Sequence, residues 1–211
     1  MNIRAFVAIN FSVPATRRLA EAAADLRKQA MAAATELRAT WVPTANLHLT
    51  LKFLGEIPEE NASAILLALR RGLQSASPLG SIDPFEIRAG GFGAFPSLET
   101  ARVLWFGVDG GAMLGKLAER IEQALFELGF PREARPLSPH VTIGRVTEGV
   151  WPASVTTQRA EIATSRITEV VLYESRPVQK GQEYVALGRI GIGALARAAE
   201  EAGQLATSAR R

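Results

Sequence analysis

Two stretches of this chain repeat one order of parts: an apolar strand-like run, a long helix-like run, and a short strand carrying a histidine. The first starts at "RAFVAI" (4–9) and reaches "NLHLTLKF" (46–53), and the second starts at "RVLWFGV" (102–108) and reaches "SPHVTIGR" (138–145). The histidine strands align without a gap: His48 falls on His140, Thr50 on Thr142 and Leu51 on Ile143. They use the only two histidines in the chain. Such a chain is constrained toward two related β-α-β halves, expected to pack face to face across a cleft.

The alternation of side chains along a strand assigns the faces. His48 and Thr50 share one face, as do His140 and Thr142. Leu49, Leu51, Val141 and Ile143 point the other way, toward covering helices. By the same rule Lys52 shares the His48 face, where it could meet a phosphate. Arg145 is turned away from the His140 face unless a twist, a bulge or its own reach brings it back.

The rest of the chain reads as supporting structure. Ala15 to about Arg38 is helix-like, and a second helix opens at Pro58, with Ile65, Leu66, Leu69 and Leu73 at helical spacing. Residues 75–81 form a loop, followed by the glycine-rich, bent strand "FEIRAGGFGAFP". Asp109 caps a third helix with leucines or isoleucine at 114, 117, 121, 125 and 128, and Gly129 and Pro131 stop it. "ITEVVLYES" and "EYVALGRI" are two late strands. Residues 1–190 make one bilobal domain, and 191–211 are a helical or flexible tail.

Two imidazoles and two hydroxyls around one small space suit a phosphate ester. A histidine titrates near pH 6.5, so one can take a proton from water while the other gives one to the leaving oxygen. Threonine hydroxyls can donate to oxygens where negative charge builds. The chain has no cysteine, which excludes disulfides, thiolate metal sites and a cysteine nucleophile. Two histidines without a H-E-x-x-H spacing make a poor zinc site, so neither metal nor cofactor is expected. The net charge of +3 favours an anionic partner weakly, and the bases form no dense run of the kind a dedicated duplex-DNA binder needs. No run of apolar residues is long enough to cross a membrane, and the N-terminus reads as a strand rather than a signal peptide. Phe92, Phe95 and Trp105 are candidates for stacking on a base; Phe95 is taken as a substrate contact and Trp105 as core.

The paired "HLTL" and "HVTI" motifs resemble the signature of the two-histidine phosphoesterases. With "RAFVAI", "NLHLTLKFLGE", "RVLWFGV", "SPHVTIGR" and "LYES…Y" in this order, residues 3 to 190 resemble the LigT-like RNA 2′,3′-cyclic phosphodiesterases. The resemblance implies an α+β, bilobal fold: two pseudo-symmetric lobes of mainly antiparallel sheet with outer helices around a central cleft. It implies metal-independent hydrolysis of a terminal 2′,3′-cyclic phosphate on RNA to a 2′-phosphate. His48 would be the proton donor, His140 the proton acceptor, Thr50 and Thr142 the holders of phosphate oxygens, and Arg145 a substrate contact. The residues alone do not say which histidine is the acid. The expected partner is an RNA 3′ end, tRNA fragments among them, met by a cytoplasmic monomer. Other readings are action on another small cyclic phosphate, 2′-5′ ligation, a two-histidine metal site, or an RNA-binding module without catalysis.

Overall fold

The computed structural model describes residues 1–74, 82–157, 160–179 and 181–193. The expected loop at 75–81 and the tail from 194 onward lie outside the described residues. The elements in chain order are β1 (Asn2–Asn10), α1 (Val13–Ala33), β2 (Arg38–Trp41), β3 (His48–Pro58), α2 (Ala62–Gln74), β4 (Phe85–Phe95), β5 (Val103–Asp109), α3 (Gly111–Phe126), β6 (His140–Glu148), β7 (Ala163–Ile167), β8 (Glu169–Val178) and β9 (Gly181–Gly191).

The strands form one nine-stranded sheet, ordered β7-β4-β5-β6-β3-β1-β8-β9, with β2 paired to β6. All the strand pairings are antiparallel among the described residues. The order is its own mirror image about the β6–β3 junction. On one side β6, β5, β4 and β7 follow one another; on the other, β3, β1, β8 and β9. The expected repeat is therefore present as β1-α1-β3 and β5-α3-β6. The two halves join edge to edge, where Leu49 of β3 pairs with Val141 of β6. Those are the middle residues of the two His-x-Thr runs, so the pseudo-twofold axis passes through the site itself.

Burial explains why these strands choose their faces. Leu49, Val141 and Ile143 are fully buried and Leu51 nearly so, and all four join the core that the helices cover. α1 contributes Ala15, Leu19, Ala22, Ala23, Leu26 and Ala30, spaced as one helical stripe. It ends at Ala33, before the expected boundary at about Arg38, where the unforeseen strand β2 begins. α2 and α3 pack closely: a Cβ on Gly72 would stand 2.8 Å from the Ala124 Cβ, and Arg120 Nη1 donates to the Gly72 carbonyl at 2.8 Å. The cap of α3 is Gly110 and not Asp109 as expected; Asp109 closes β5 one residue earlier, its carboxylate accepting from the Gly111 backbone N–H at 2.9 Å. Gly129, with φ of +90°, ends the turn after α3 in a conformation that favours glycine. None of the described helices is long and apolar enough to cross a membrane.

Candidate active site

Each histidine is held in the same way. The Nδ1 of His48 lies 2.7 Å from the carbonyl of Asn46, and the Nδ1 of His140 lies 2.7 Å from the carbonyl of Ser138. A carbonyl can only accept, so in both rings Nδ1 carries the proton and donates. Nε2 of each ring is thereby left unprotonated in the neutral imidazole, as an acceptor. In the free protein the Nε2 of His48 accepts from the Thr50 hydroxyl at 2.9 Å.

Each histidine also has an aromatic edge against it. Tyr184 meets His48 at 5.1 Å and 89°, and Phe95 meets His140 at 5.1 Å and 83°. Phe6 adds a tilted contact to His48 at 5.0 Å. These rings remove His48 from water. Burial, and behind it the nearby charge of His140, hold its pKa below the ordinary value; the Asn46 carbonyl works in the opposite direction. The sign of the linkage follows. Below the ordinary value near 6.5 the unfolded chain takes up a proton that folded His48 still refuses, so stability falls as pH drops through that window. The melting temperature is expected to decline from pH 7.5 to 5.5, and His48→Gln should remove part of that decline. An unchanged slope in the variant would contradict the buried, neutral imidazole.

A bulge in each histidine strand decides what stands beside these groups. In β3, Val7 pairs with Lys52 and Ala8 with Thr50, which leaves Leu51 as the extra residue. In β6, Leu104 pairs with Gly144 and Trp105 with Thr142, which leaves Ile143 as the extra residue. The bulges sit at equivalent places, and each reverses the alternation beyond it. Arg145 is thus returned to the His140 face. The same device corrects the expectation for Lys52. It turns away from the cleft and is 4% exposed. Its Nζ reaches Glu122 at 2.9 Å, the Pro131 carbonyl at 2.6 Å and Glu133 at 3.6 Å. Phe53 takes the cleft position instead and is the counterpart of Arg145. Gly144 is the counterpart of Lys52, and a Cβ there would press on the Thr40 carbonyl at 3.1 Å and the Trp41 ring at 3.3 Å.

His48, Thr50, Thr142, Arg145, Phe53 and Tyr184 line one cavity of about 380 Å³. Phe95 stands apart from that lining, on the His140 side. Trp105, expected in the core, is half-buried beside Phe95 and His140, at 5.1 and 6.3 Å. Phe92 turns instead to Trp151, at 5.2 Å. Among the described residues no group of acids and histidines could hold a metal ion. Phe53 and Tyr184 were not anticipated as site residues. The first is hidden by the bulge, and the second comes from β9, remote in sequence.

The comparisons with known proteins agree with this geometry. An RNA 2′,3′-cyclic phosphodiesterase of Geobacillus stearothermophilus is 31% identical over 148 residues, 69% of this chain but only 45% of that protein. One of Thermotoga maritima is 32% identical over 189 residues, covering 82% of this chain and 94% of its own length. The crystal structure of E. coli LigT complexed with 3′-AMP superposes with a TM-score of 0.68 at 25% identity, covering 92% of this chain and 100% of that one. The profile of the 2′-5′ RNA ligase superfamily matches residues 15–178, a span that holds both histidine strands and both bulges. A sheet mirrored about two paired His-x-Thr strands, together with that match, places the chain in the family: it belongs to the 2′-5′ RNA ligase superfamily.

Proposed function

We propose that this protein hydrolyses 2′,3′-cyclic phosphates at RNA 3′ ends to 2′-phosphates, using His48 and His140 as acid and base and no metal. The observation that carries this reading is the mirrored pair of imidazoles, each with Nδ1 tied to a carbonyl two residues back. Relatives of this chain are named RNA 2′,3′-cyclic phosphodiesterase, which favours this substrate over other cyclic phosphates.

The steps balance without a cofactor. Water attacks phosphorus and gives its proton to Nε2 of His140. The P–O3′ bond breaks, and Nε2–H of His48 protonates O3′. The products are a 2′-phosphomonoester and a free 3′-hydroxyl. His48 is neutral in the free protein, so its proton arrives with the substrate: the phosphate anion beside Nε2 favours the imidazolium. Protonation also frees the Thr50 hydroxyl from Nε2, and Thr50 and Thr142 then donate to the non-bridging oxygens. The Arg145 guanidinium supplies the positive charge that these hydroxyls lack. On this reading the protein acts as a cytoplasmic monomer on RNA ends, tRNA fragments among them, since one chain provides every group named.

The test is a short RNA ending in a 2′,3′-cyclic phosphate, incubated with the protein in EDTA, with the product phosphate identified. Conversion to a 2′-phosphate supports the reading. No conversion, or conversion only with added metal, sinks it.

Phe53 makes a second prediction. Its ring is 68% exposed yet lines the cavity beside the histidine, a flat apolar surface suited to the terminal base. Base–aromatic stacking is worth about 1–3 kcal/mol, so Phe53→Ala should lower kcat/KM by about five-fold to 150-fold while the melting temperature holds. Equal kinetics for the two proteins would remove Phe53 from the substrate.

A further inference from the structure

Among the groups around His48, one polar atom has no part in the steps above. The chain has two tyrosines, and their hydroxyls differ in employment. The Tyr173 hydroxyl accepts from Asn10 Nδ2 at 2.8 Å, which fixes it in the sheet. The Tyr184 hydroxyl has no hydrogen-bond partner among the described residues, and its residue lines the catalytic cavity with Thr50, Thr142 and Arg145.

Three placements bear on what it does. The Tyr184 ring stands edge-on to the His48 ring, at 5.1 Å, beside the group that must meet the leaving oxygen. Tyr184 is close enough to Arg145 for that charge to act on the phenol, although burial is the stronger influence and raises its pKa. The phenol therefore keeps its proton at any pH where the histidines work, and it remains a donor. The two lobes are also unequal here. The equivalent edge on His140 is Phe95, which has no hydroxyl. The edge on His48 thus carries a hydroxyl that the Phe95 edge on His140 lacks.

We propose that the Tyr184 hydroxyl is a substrate ligand, donating a hydrogen bond to a non-bridging oxygen of the cyclic phosphate while Arg145 engages the same group from the other lobe. Phosphate is then gripped between β9 and β6, and not only by the two threonines. This assignment rests on the proposed phosphodiesterase reading for the identity of the substrate, but its test does not depend on turnover.

The experiment compares wild type, Tyr184→Phe and Tyr184→Leu. Binding of inorganic phosphate and of adenosine 2′-monophosphate is measured by calorimetry, kinetics on the cyclic-phosphate RNA are followed, and melting temperatures are recorded. A hydrogen bond to a charged group is worth about 1.5–3 kcal/mol, so Tyr184→Phe should weaken both ligands by about ten-fold or more. It should lower kcat/KM in the same direction and leave the melting temperature unchanged. Wild-type affinity for phosphate in Tyr184→Phe overturns the proposal, and so does a loss confined to Tyr184→Leu, which would assign the role to the ring alone. Should wild type bind phosphate but fail to open the cyclic ester, the phosphodiesterase reading falls, and the phosphate affinities of the variants still decide the role of Tyr184.

Discussion

His48→Ala and His140→Ala are each expected to lower kcat on the cyclic-phosphate RNA by about 10² to 10⁴-fold, the usual range for a general acid or base. The double variant should be little worse than the poorer single one, because acid and base serve one displacement and their effects do not add. KM should move little for His140→Ala, whose imidazole acts on water, and more for His48→Ala, whose Nε2 stands in the cavity beside Thr50. The pH profile assigns the roles. Loss of the acid removes the alkaline limb of kcat, and loss of the base removes the acidic limb. The expected pattern is a flattened alkaline limb in His48→Ala and a flattened acidic limb in His140→Ala, read from residual turnover. The reverse pattern would exchange the two roles and keep the mechanism. Full turnover in either well-folded variant would end it.

The histidine strands were legible in the sequence because their evidence is local. Alternation places Leu49 against Thr50 and Val141 against Thr142 wherever the strand lies, and the burial of those residues agrees. The β-α-β repeat was legible for a similar reason: an apolar run and a helical stripe each carry their own period. What could not be read depends on partners. A bulge has no residue code, since the extra residue exists only relative to the neighbouring strand. Leu51 is extra because Val7 and Ala8 of β1 skip it, and nothing in "LTLKF" records that. The pairing that joins the two halves is unreadable on the same ground, since nothing in either His-x-Thr run records that Leu49 meets Val141. Tyr184 is 136 residues from His48, and their contact depends on a sheet order that sets β9 beside β8, from which the Tyr184 ring reaches Phe6 of β1.

Lys52 carries the consequence of that unreadable bulge, and its replacement should reveal a role in stability rather than in binding. Its ammonium is 3% exposed and faces Glu122, itself 17% exposed, together with the Pro131 carbonyl. Glu133 is 56% exposed and adds little. Lys52→Ala strips the cation from a largely buried carboxylate and also leaves the volume of its stem empty. Breaking a buried pair costs about 3–5 kcal/mol, and the partial exposure of Glu122 brings the expected loss to the lower end, about 3 kcal/mol. Lys52→Met refills the volume and should recover part of it, while Glu122→Gln should destabilise in the background of Lys52 but much less in that of Met. Kinetics separate this role from a phosphate contact. A cation on the substrate contributes to the salt dependence of binding. Well below its melting temperature, Lys52→Ala should therefore keep both the KM of wild type and its response to salt, whereas Arg145→Ala should raise KM and weaken that response. A stable Lys52→Ala with a raised, less salt-sensitive KM would put the ammonium in the cleft and the bulge in error.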